Sequence, residues 1–167
     1  IRDTSNLSPY VKDEVLYKAA KMQGEYCIKN NSINHYQKSE KLRTAELRVN
    51  HLKGYHGTVH EIITKLDVSK IRVNTYGQLS ELMLRNVLRN TKYRKNILSK
   101  KANRIGVFVE KNKTSIYMVI VLGTPPVFDE KYITPKGAYG IKSMEEDNQG
   151  SCLACVQLLK RQSTDML

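Results

Sequence analysis

Residues 104–123, RIGVFVEKNKTSIYMVIVLG, decide how this chain folds. Residues 104–110 alternate in polarity and are rich in β-branched side chains, which is typical of a strand. Residues 116–122 form an unbroken apolar run that has the length of a central strand and is too short for a typical core helix. Because the KNK stretch at residues 111–113 favours a turn, the two strands are predicted to pair as a β-hairpin.

Helices are predicted upstream of this hairpin. The Ser8-Pro9 pair is a helix start, and apolar residues from Val11 onward, at three- and four-residue spacing, predict a first helix over residues 8–29. A second helix is predicted from about residue 39 to residue 54, and a third after residue 77, with one further helical turn to residue 97. Residues 55–65 show no clear periodicity, so we expect a loop that leads into a short extended or irregular segment.

The charge of the chain is strongly basic. Its 167 residues include 28 Lys and Arg against 16 Asp and Glu, a net charge of +12. Nine basic residues and one acid, Glu110, lie between residues 89 and 113. This region predicts an anionic partner, such as nucleic acid, anionic lipid or an acidic glycan, and a solvated basic face is the alternative. No run approaches the ~18 apolar residues of a membrane-spanning helix.

The cysteines predict neither a disulfide framework nor a metal site. Cys27 lies in the first helical pattern and is expected to be a small buried residue. Cys152 and Cys155 form a lone CxxC with no second ligand pair, so no zinc site is predicted from them. The composition changes after residue 126 to Gly, Pro, Ser, Asn and acids. We therefore predict that residues 127–167 form a C-terminal extension that is partly ordered at best.

Three segments together resemble the CAP superfamily, the cysteine-rich secretory, antigen 5 and pathogenesis-related 1 proteins, whose domains are also called SCP-like. Residues 13–35 combine a helix containing AAKMQ with a loop that ends in Asn-His. Residues 48–61 match the family stretch that begins with Arg and contains Gly-Tyr, and His60-Glu61 replaces its Gly-Glu pair. Residues 88–123 contain YRKNIL and IGVFVE in the family's order. The resemblance covers residues 7–126 and is closest to divergent bacterial members.

The resemblance implies a fold and a localisation. The fold would be α+β, a three-layer α-β-α sandwich around a small antiparallel sheet over residues 7–126, with the extension after it. A strand inside residues 55–67 would complete the sheet. The resemblance also implies a secreted, cell-surface or periplasmic protein, and the start at Ile1 is compatible both with a matured chain and with a trimmed one.

The resemblance further implies a cavity, which family members usually line with two histidines and one or two acids. Matching the motifs residue by residue assigns His35 to the first histidine and Glu61 to the first acid, while Tyr93 occupies the position of the second histidine. We expect His35 and Glu61 to meet across this cavity. One His and one Glu are too few ligands for a tight metal site, so no metal or other cofactor is expected.

Each of these residues also has a structural interpretation. His35 could order its loop, Glu61 could accept backbone hydrogen bonds, and Tyr93 could serve in packing. The leading functional hypothesis is a domain that binds a lipid, glycan or protein through a degenerate His/Glu cavity. The alternatives are a hydrolase that uses His35 and Glu61 as an oriented general base, and a basic nucleic-acid-binding protein. The last is disfavoured because no RNP-type or helix-turn-helix signature is present.

Overall fold

The computed structural model describes residues 1–54 and 57–124. Four strands form one sheet in the order β1-β3-β4-β2, and two helices cover each face. The strands are β1 (Val11–Lys12), β2 (Val59–Asp67), β3 (Arg104–Lys111) and β4 (Ser115–Gly123). The helices are α1 (Glu14–Lys29), α2 (Ala45–His51), α3 (Tyr76–Arg89) and α4 (Thr91–Ile97). The predicted α+β sandwich is confirmed, as is the hairpin of β3 and β4.

Strand β4 explains why the sheet has helices on both faces. Its odd-numbered side chains, such as Val119, pack against α1 and α2. Its even-numbered side chains, such as Ile120, pack against α3 and α4. A strand that is buried on both sides has no polar face, which is why residues 116–122 are continuously apolar instead of alternating.

The predicted start of the first helix at Ser8 is wrong. Helix α1 begins after Asp13, whose carboxylate accepts a hydrogen bond from the N–H of Leu16 at 3.0 Å. The preceding residues pair with the sheet instead, and Val11 N donates to Asn103 O at 2.8 Å. Because this pairing satisfies the backbone, residues 11 and 12 form a short strand parallel to β3, which makes the sheet mixed. Val11 is 50% exposed and does not belong to the apolar stripe of α1.

The expectation of a loop that leads into a short extended or irregular segment over residues 55–65 is confirmed only in its extended alternative, and the extended segment is longer than expected. Strand β2 is nine residues long and pairs with β4 in antiparallel register from Val59–Gly123 to Asp67–Ser115. The strand that the family resemblance implied within residues 55–67 is therefore confirmed. Helix α2 is shorter than predicted, because Thr44 caps it and it ends at His51. Helix α3 begins directly after Thr75, whose hydroxyl caps it.

Of the remaining predictions about the chain, one is confirmed and another concerns residues that the structure does not describe. Cys27 is buried, as expected. The proposed extension, residues 127–167, with Cys152 and Cys155, lies outside the described residues, and so the domain boundary at residue 126 stays a prediction. No helix in the described part of the chain has the length and apolar character needed to cross a membrane.

Close packing of α1 on β3 depends on Gly106. A Cβ atom at this position would lie 2.1 Å from the backbone carbon of Leu16 and from the backbone nitrogen of Tyr17. Neither atom can move without displacing the helix. We therefore expect Gly106→Ala to lower the free energy of unfolding by about 1–3 kcal/mol or more, measured by urea denaturation.

Gly77, in the first turn of α3, is the matched control for that substitution. The nearest atom to a Cβ there is Thr75 Oγ1 at 3.8 Å. Gly77→Ala should leave the free energy of unfolding unchanged or raise it by up to about 1 kcal/mol, because alanine is the better helix former. Equal effects of the two substitutions would contradict the close helix–strand packing.

Candidate functional site

The loop that carries His35 is attached to α1 by buried amides. Gln23 is fully buried and its side-chain amide donates a hydrogen bond to the carbonyl of Asn34. The Gln37 amide in turn donates to Gln23 Oε1 at 3.0 Å and to Met22 O at 3.2 Å. Because buried amides are costly to leave unpaired, these bonds favour a single conformation of the loop. His35 is therefore held at a defined position beside the edge strand β2.

Both ring nitrogens of His35 have partners. Nδ1 lies 3.0 Å from Glu61 Oε1, on β2, and Nε2 lies 3.0 Å from the hydroxyl of Tyr93, on α4. The rings of His35 and Tyr93 meet edge-on, with centroids 6.2 Å apart. The structure thus brings together the three residues that the sequence singled out. Their role in binding a ligand stays a prediction.

The other oxygen of the Glu61 carboxylate is paired with Arg48, on α2. The Arg48 side chain is fully buried and that of Glu61 is 5% exposed, so the two charges are desolvated together. Arg48 also donates to Leu42 O at 2.9 Å, while its Nε atom has no hydrogen-bond partner within the described residues. Burial lowers the pKa of the Arg48 guanidinium, and the negative charge of Glu61 opposes this effect. A buried pair of this kind leaves the site with no net charge from its acid.

Arg48 is the residue that sequence reasoning missed. It begins the second family-like segment, but no role was assigned to it. The available signal was its place on the apolar stripe of a short amphipathic helix, with Ala45 three residues before it and Val49 directly after it. A charged residue on a buried stripe requires a buried counter-charge. Glu61, the acid in the same segment, could have been named as that counter-charge.

The partners of His35 determine how protons are arranged. Because the Glu61 carboxylate only accepts, His35 Nδ1 donates to it, and in this tautomer Nε2 is the acceptor. Burial raises the pKa of the Tyr93 phenol, and so its hydroxyl is protonated at neutral pH and donates to Nε2. The assigned chain of hydrogen bonds therefore leads from Tyr93 through His35 to Glu61, where Arg48 neutralises the charge.

A cavity of about 370 Å³ opens beside this chain, along the edge strand β2. Side chains from α2 line one side of it and side chains from α4 line the other, so both helical layers contribute. Residues with polar groups outnumber aliphatic ones in the lining. The lining residues are His35, Tyr36, Thr44, Ala45, Glu46, Val59, His60, Glu61, Lys92, Tyr93 and Asn96.

The residues present do not fit a metal ion. Both nitrogens of His35 and both oxygens of Glu61 are engaged by protein groups. Over residues 1–54 and 57–124, no three His, Cys, Asp or Glu side chains lie close enough together to hold one. An activated nucleophile is also lacking among the lining residues, because the Thr44 hydroxyl caps α2 and Ser32 does not line the cavity. The arrangement is suited to holding a ligand by hydrogen bonds.

Comparison with known proteins identifies relatives of this chain. The model of the CAP, cysteine-rich secretory protein, family matches residues 1–123. Among curated proteins, none matches the chain significantly. An outer surface protein of Borrelia burgdorferi has a similar structure, with a TM-score of 0.61 and 18% identity over 74% of this chain and 84% of its own.

Two longer bacterial proteins also have a similar fold. An extracellular protein of Bacillus anthracis that contains an SCP domain has a TM-score of 0.52 and 20% identity over 72% of this chain. A cysteine-rich secretory protein of Staphylococcus aureus has a TM-score of 0.53 and 12% identity over 74% of this chain. The chain spans 36% and 34% of their respective lengths, so the likeness concerns one fold within larger proteins.

The buried ion pair gives the first test of the site. Arg48→Met removes the guanidinium and leaves the Glu61 carboxylate buried without its counter-charge. We expect the free energy of unfolding to fall by about 3–5 kcal/mol in urea denaturation. Arg43→Met, at an exposed arginine five residues earlier, is the matched control and should change it by less than about 0.5 kcal/mol.

A double variant separates charge from volume in this test. Arg48→Met combined with Glu61→Gln removes both charges, and it should be more stable than Arg48→Met alone. If Arg48→Met lowers the free energy of unfolding no more than Arg43→Met does, the ion pair does not stabilise the site.

Tyr93→His tests the geometry of the cavity. The substitution places a second imidazole beside His35 Nε2, where the hydroxyl of Tyr93 now lies at 3.0 Å. We expect calorimetry to show weak or no Zn²⁺ binding by the unaltered protein and at least about tenfold tighter binding by the variant, ~1.4 kcal/mol. The gain should disappear when His35→Ala is added. A sub-micromolar Zn²⁺ site in the unaltered protein that is abolished by His35→Ala would contradict this account.

Proposed function

Because the chain belongs to the CAP (cysteine-rich secretory protein) family, we propose that it is an extracytoplasmic domain that acts by binding. The ligand occupies the cavity beside His35. The secreted, cell-surface or periplasmic localisation is supported by the family and by two structural neighbours, an outer surface protein and an extracellular protein. Both neighbours are distant in sequence, and the localisation is part of the proposal.

The observation that carries the proposal is the complete engagement of His35. Its two nitrogens are each 3.0 Å from a protein partner, and the carboxylate beyond it is neutralised by Arg48. A general base takes a proton from the group hydrogen-bonded to its free nitrogen, and at His35 Nε2 that group is the Tyr93 hydroxyl in place of a water or a ligand. A ring that is hydrogen-bonded at both nitrogens is held in one orientation beside the cavity. This arrangement favours ligand binding over proton transfer.

The lining of the cavity favours a polar ligand. Of the three candidate ligand classes, lipid, glycan and protein, only a lipid requires an apolar cavity for its tail. The only aliphatic lining residues are Ala45 and Val59. Hydroxyl, amide, imidazole, ammonium and carboxylate groups line the remainder and can bond sugar hydroxyls or peptide groups. Tyr36 is 59% exposed and offers a ring face at the rim. The volume lies within the range of small-ligand cavities, so the proposed ligand is a short oligosaccharide or peptide segment.

The hydrolase alternative has one feature in its favour. Tyr93, His35 and Glu61 follow the order of a nucleophile, a base and an orienting acid. However, burial raises the pKa of the Tyr93 phenol, which disfavours the phenolate that would have to attack. We therefore propose no covalent step at this hydroxyl.

Nuclear magnetic resonance tests the binding proposal. The ¹⁵N-labelled protein is titrated with the trimer of N-acetylglucosamine, with a blocked tripeptide and with a short-chain lysophospholipid below its micelle concentration. We expect a polar probe to shift the amide signals of Tyr36, His60 and Lys92. Tyr36→Ala should weaken that binding by at least about threefold, because the substitution removes the ring face at the rim.

Tyr76→Ala is the matched control, since Tyr76 is 90% exposed and does not line the cavity. Its variant should bind as the unaltered protein does. The proposal is wrong if only the lysophospholipid shifts the cavity signals. It is also wrong if the protein hydrolyses p-nitrophenyl esters at a rate that His35→Ala abolishes.

A further inference from the structure

Six exposed basic side chains cover α4 and its two flanks. This group, the α4 surface, extends from the last residue of α3 to the loop that follows α4. Its members are Arg89, Lys92, Arg94, Lys95, Lys100 and Lys101. Since α4 has seven residues and a helix rises 1.5 Å per residue, the helix that carries three of these side chains is about 10 Å long.

The charges of the α4 surface are not compensated. None of its six side chains forms an ion pair with an acid in the described ranges 1–54 and 57–124. The sequence contains no Asp or Glu from residue 82 to residue 109. Three lysines elsewhere are paired, since Lys18, Lys21 and Lys70 each lie within 4 Å of a carboxylate. The α4 surface therefore presents six positive charges that no nearby acid in the sequence compensates.

The backbone that presents these charges is firmly held. Arg2, which is mostly buried, donates from NH1 to Ile97 O at 2.9 Å and to Ser99 O at 3.0 Å. The hydroxyl of Tyr10 also donates to Ile97 O at 2.8 Å, and the guanidinium of Arg2 lies 4.1 Å from the centre of the Tyr10 ring. These bonds satisfy carbonyls at the C-terminal end of α4. A partner consequently meets a preformed array of basic side chains. Little entropy is lost on binding, because the backbone of α4 is already ordered.

We propose that the α4 surface binds an acidic polysaccharide, a chain whose sugars carry sulfate, phosphate or carboxylate groups. One member of the surface, Lys92, also lines the cavity, so a bound chain can continue from the basic side chains to the polar cavity. The choice of a sugar ligand rests on the proposed function of that cavity. The attraction between the basic side chains and an anionic chain does not depend on it.

Two other anionic partners fit this surface less well. Single-stranded nucleic acid is held by aromatic rings that stack on its bases. Within residues 89–101 the only aromatic residue is Tyr93, which is half-buried and bonded to His35. A membrane surface is usually bound by apolar side chains inserted beside the basic ones. No large exposed apolar side chain of the described chain lies within residues 89–101.

Heparin, as a sulfated polysaccharide, tests the inference in calorimetric titrations at several salt concentrations. The test variant carries Arg94→Gln, Lys95→Gln, Lys100→Gln and Lys101→Gln and retains Lys92. We expect its affinity for heparin to fall by roughly tenfold or more, since each exposed charge pair contributes a factor of about 1.4 to 5. The dependence of log affinity on log salt should become shallower by about one unit for each removed cation that pairs with an anionic group of heparin.

The matched control removes four exposed lysines on other elements. Lys18→Gln, Lys21→Gln, Lys29→Gln and Lys70→Gln change the net charge by the same amount and should alter heparin affinity by less than about twofold. Circular dichroism establishes that both variants are folded. Equal reductions of affinity in the two variants would show that net charge acts and the α4 surface does not.

Two comparisons test the class of partner. A 20-nucleotide single-stranded DNA and vesicles containing phosphatidylserine are titrated at the same salt, and each should bind more weakly than heparin. Tighter binding of either one would overturn the choice of a polysaccharide. Tyr36→Ala keeps this inference apart from the proposed function, because it should weaken oligosaccharide binding in the cavity and leave the slope of log heparin affinity against log salt unchanged, since Tyr36 carries no charge.

Discussion

Strand β4 is buried on both faces, and most of the other elements take their position from this constraint. The nine residues of β4 present only apolar or small side chains, so both faces of the strand must be covered. Helices α1 and α2 cover one face, and helices α3 and α4 cover the other. Each large buried side chain contributes roughly 1.5–3 kcal/mol relative to exposure. Strands β2 and β3 pair with the two edges of β4, and Gly106 of β3 allows the backbone of α1 to approach closely. The sandwich is therefore the arrangement in which this strand is shielded from water on both faces.

The candidate site lies where this sandwich has an edge. Strand β2 has β4 on one side only, and its Glu61 meets Arg48 from α2 and His35 from the loop after α1. Burying the two charges is costly, and the cost is offset only by their direct pairing and by the carbonyl that Arg48 also bonds. The pair thereby fixes the distance between α2 and β2. Tyr93 completes the group from the opposite layer, so side chains from four separate parts of the chain meet in one hydrogen-bonded group.

The electrostatic character of the molecule has two distinct parts. At the cavity, Arg48 neutralises Glu61 and the imidazole of His35 is hydrogen-bonded at both nitrogens, while the exposed carboxylate of Glu46 also lines the cavity. This environment is suited to recognition by hydrogen bonds. On the α4 surface, six cations have no counter-charge among the described residues and act over a Debye length of about 8–10 Å at ordinary ionic strength. Lys92 belongs to both regions. A long anionic ligand can be attracted by the second region and oriented by the first.

The sequence by itself determined the elements whose signals are local. The hairpin over residues 104–123 and the third helix were predicted because their patterns persist over several residues. The family motifs also selected His35, Glu61 and Tyr93. Tertiary structure alone decided the rest, because the competing interactions come from distant residues. Ser8 does not begin α1, since residues 11 and 12 find a partner in β3, and β2 is a strand because β4 provides its register. The apolar stripe of α2 indicates that Arg48 needs a buried counter-charge, but only the fold brings Glu61 of β2 against it, since the pairing joins two elements that pack through tertiary contacts.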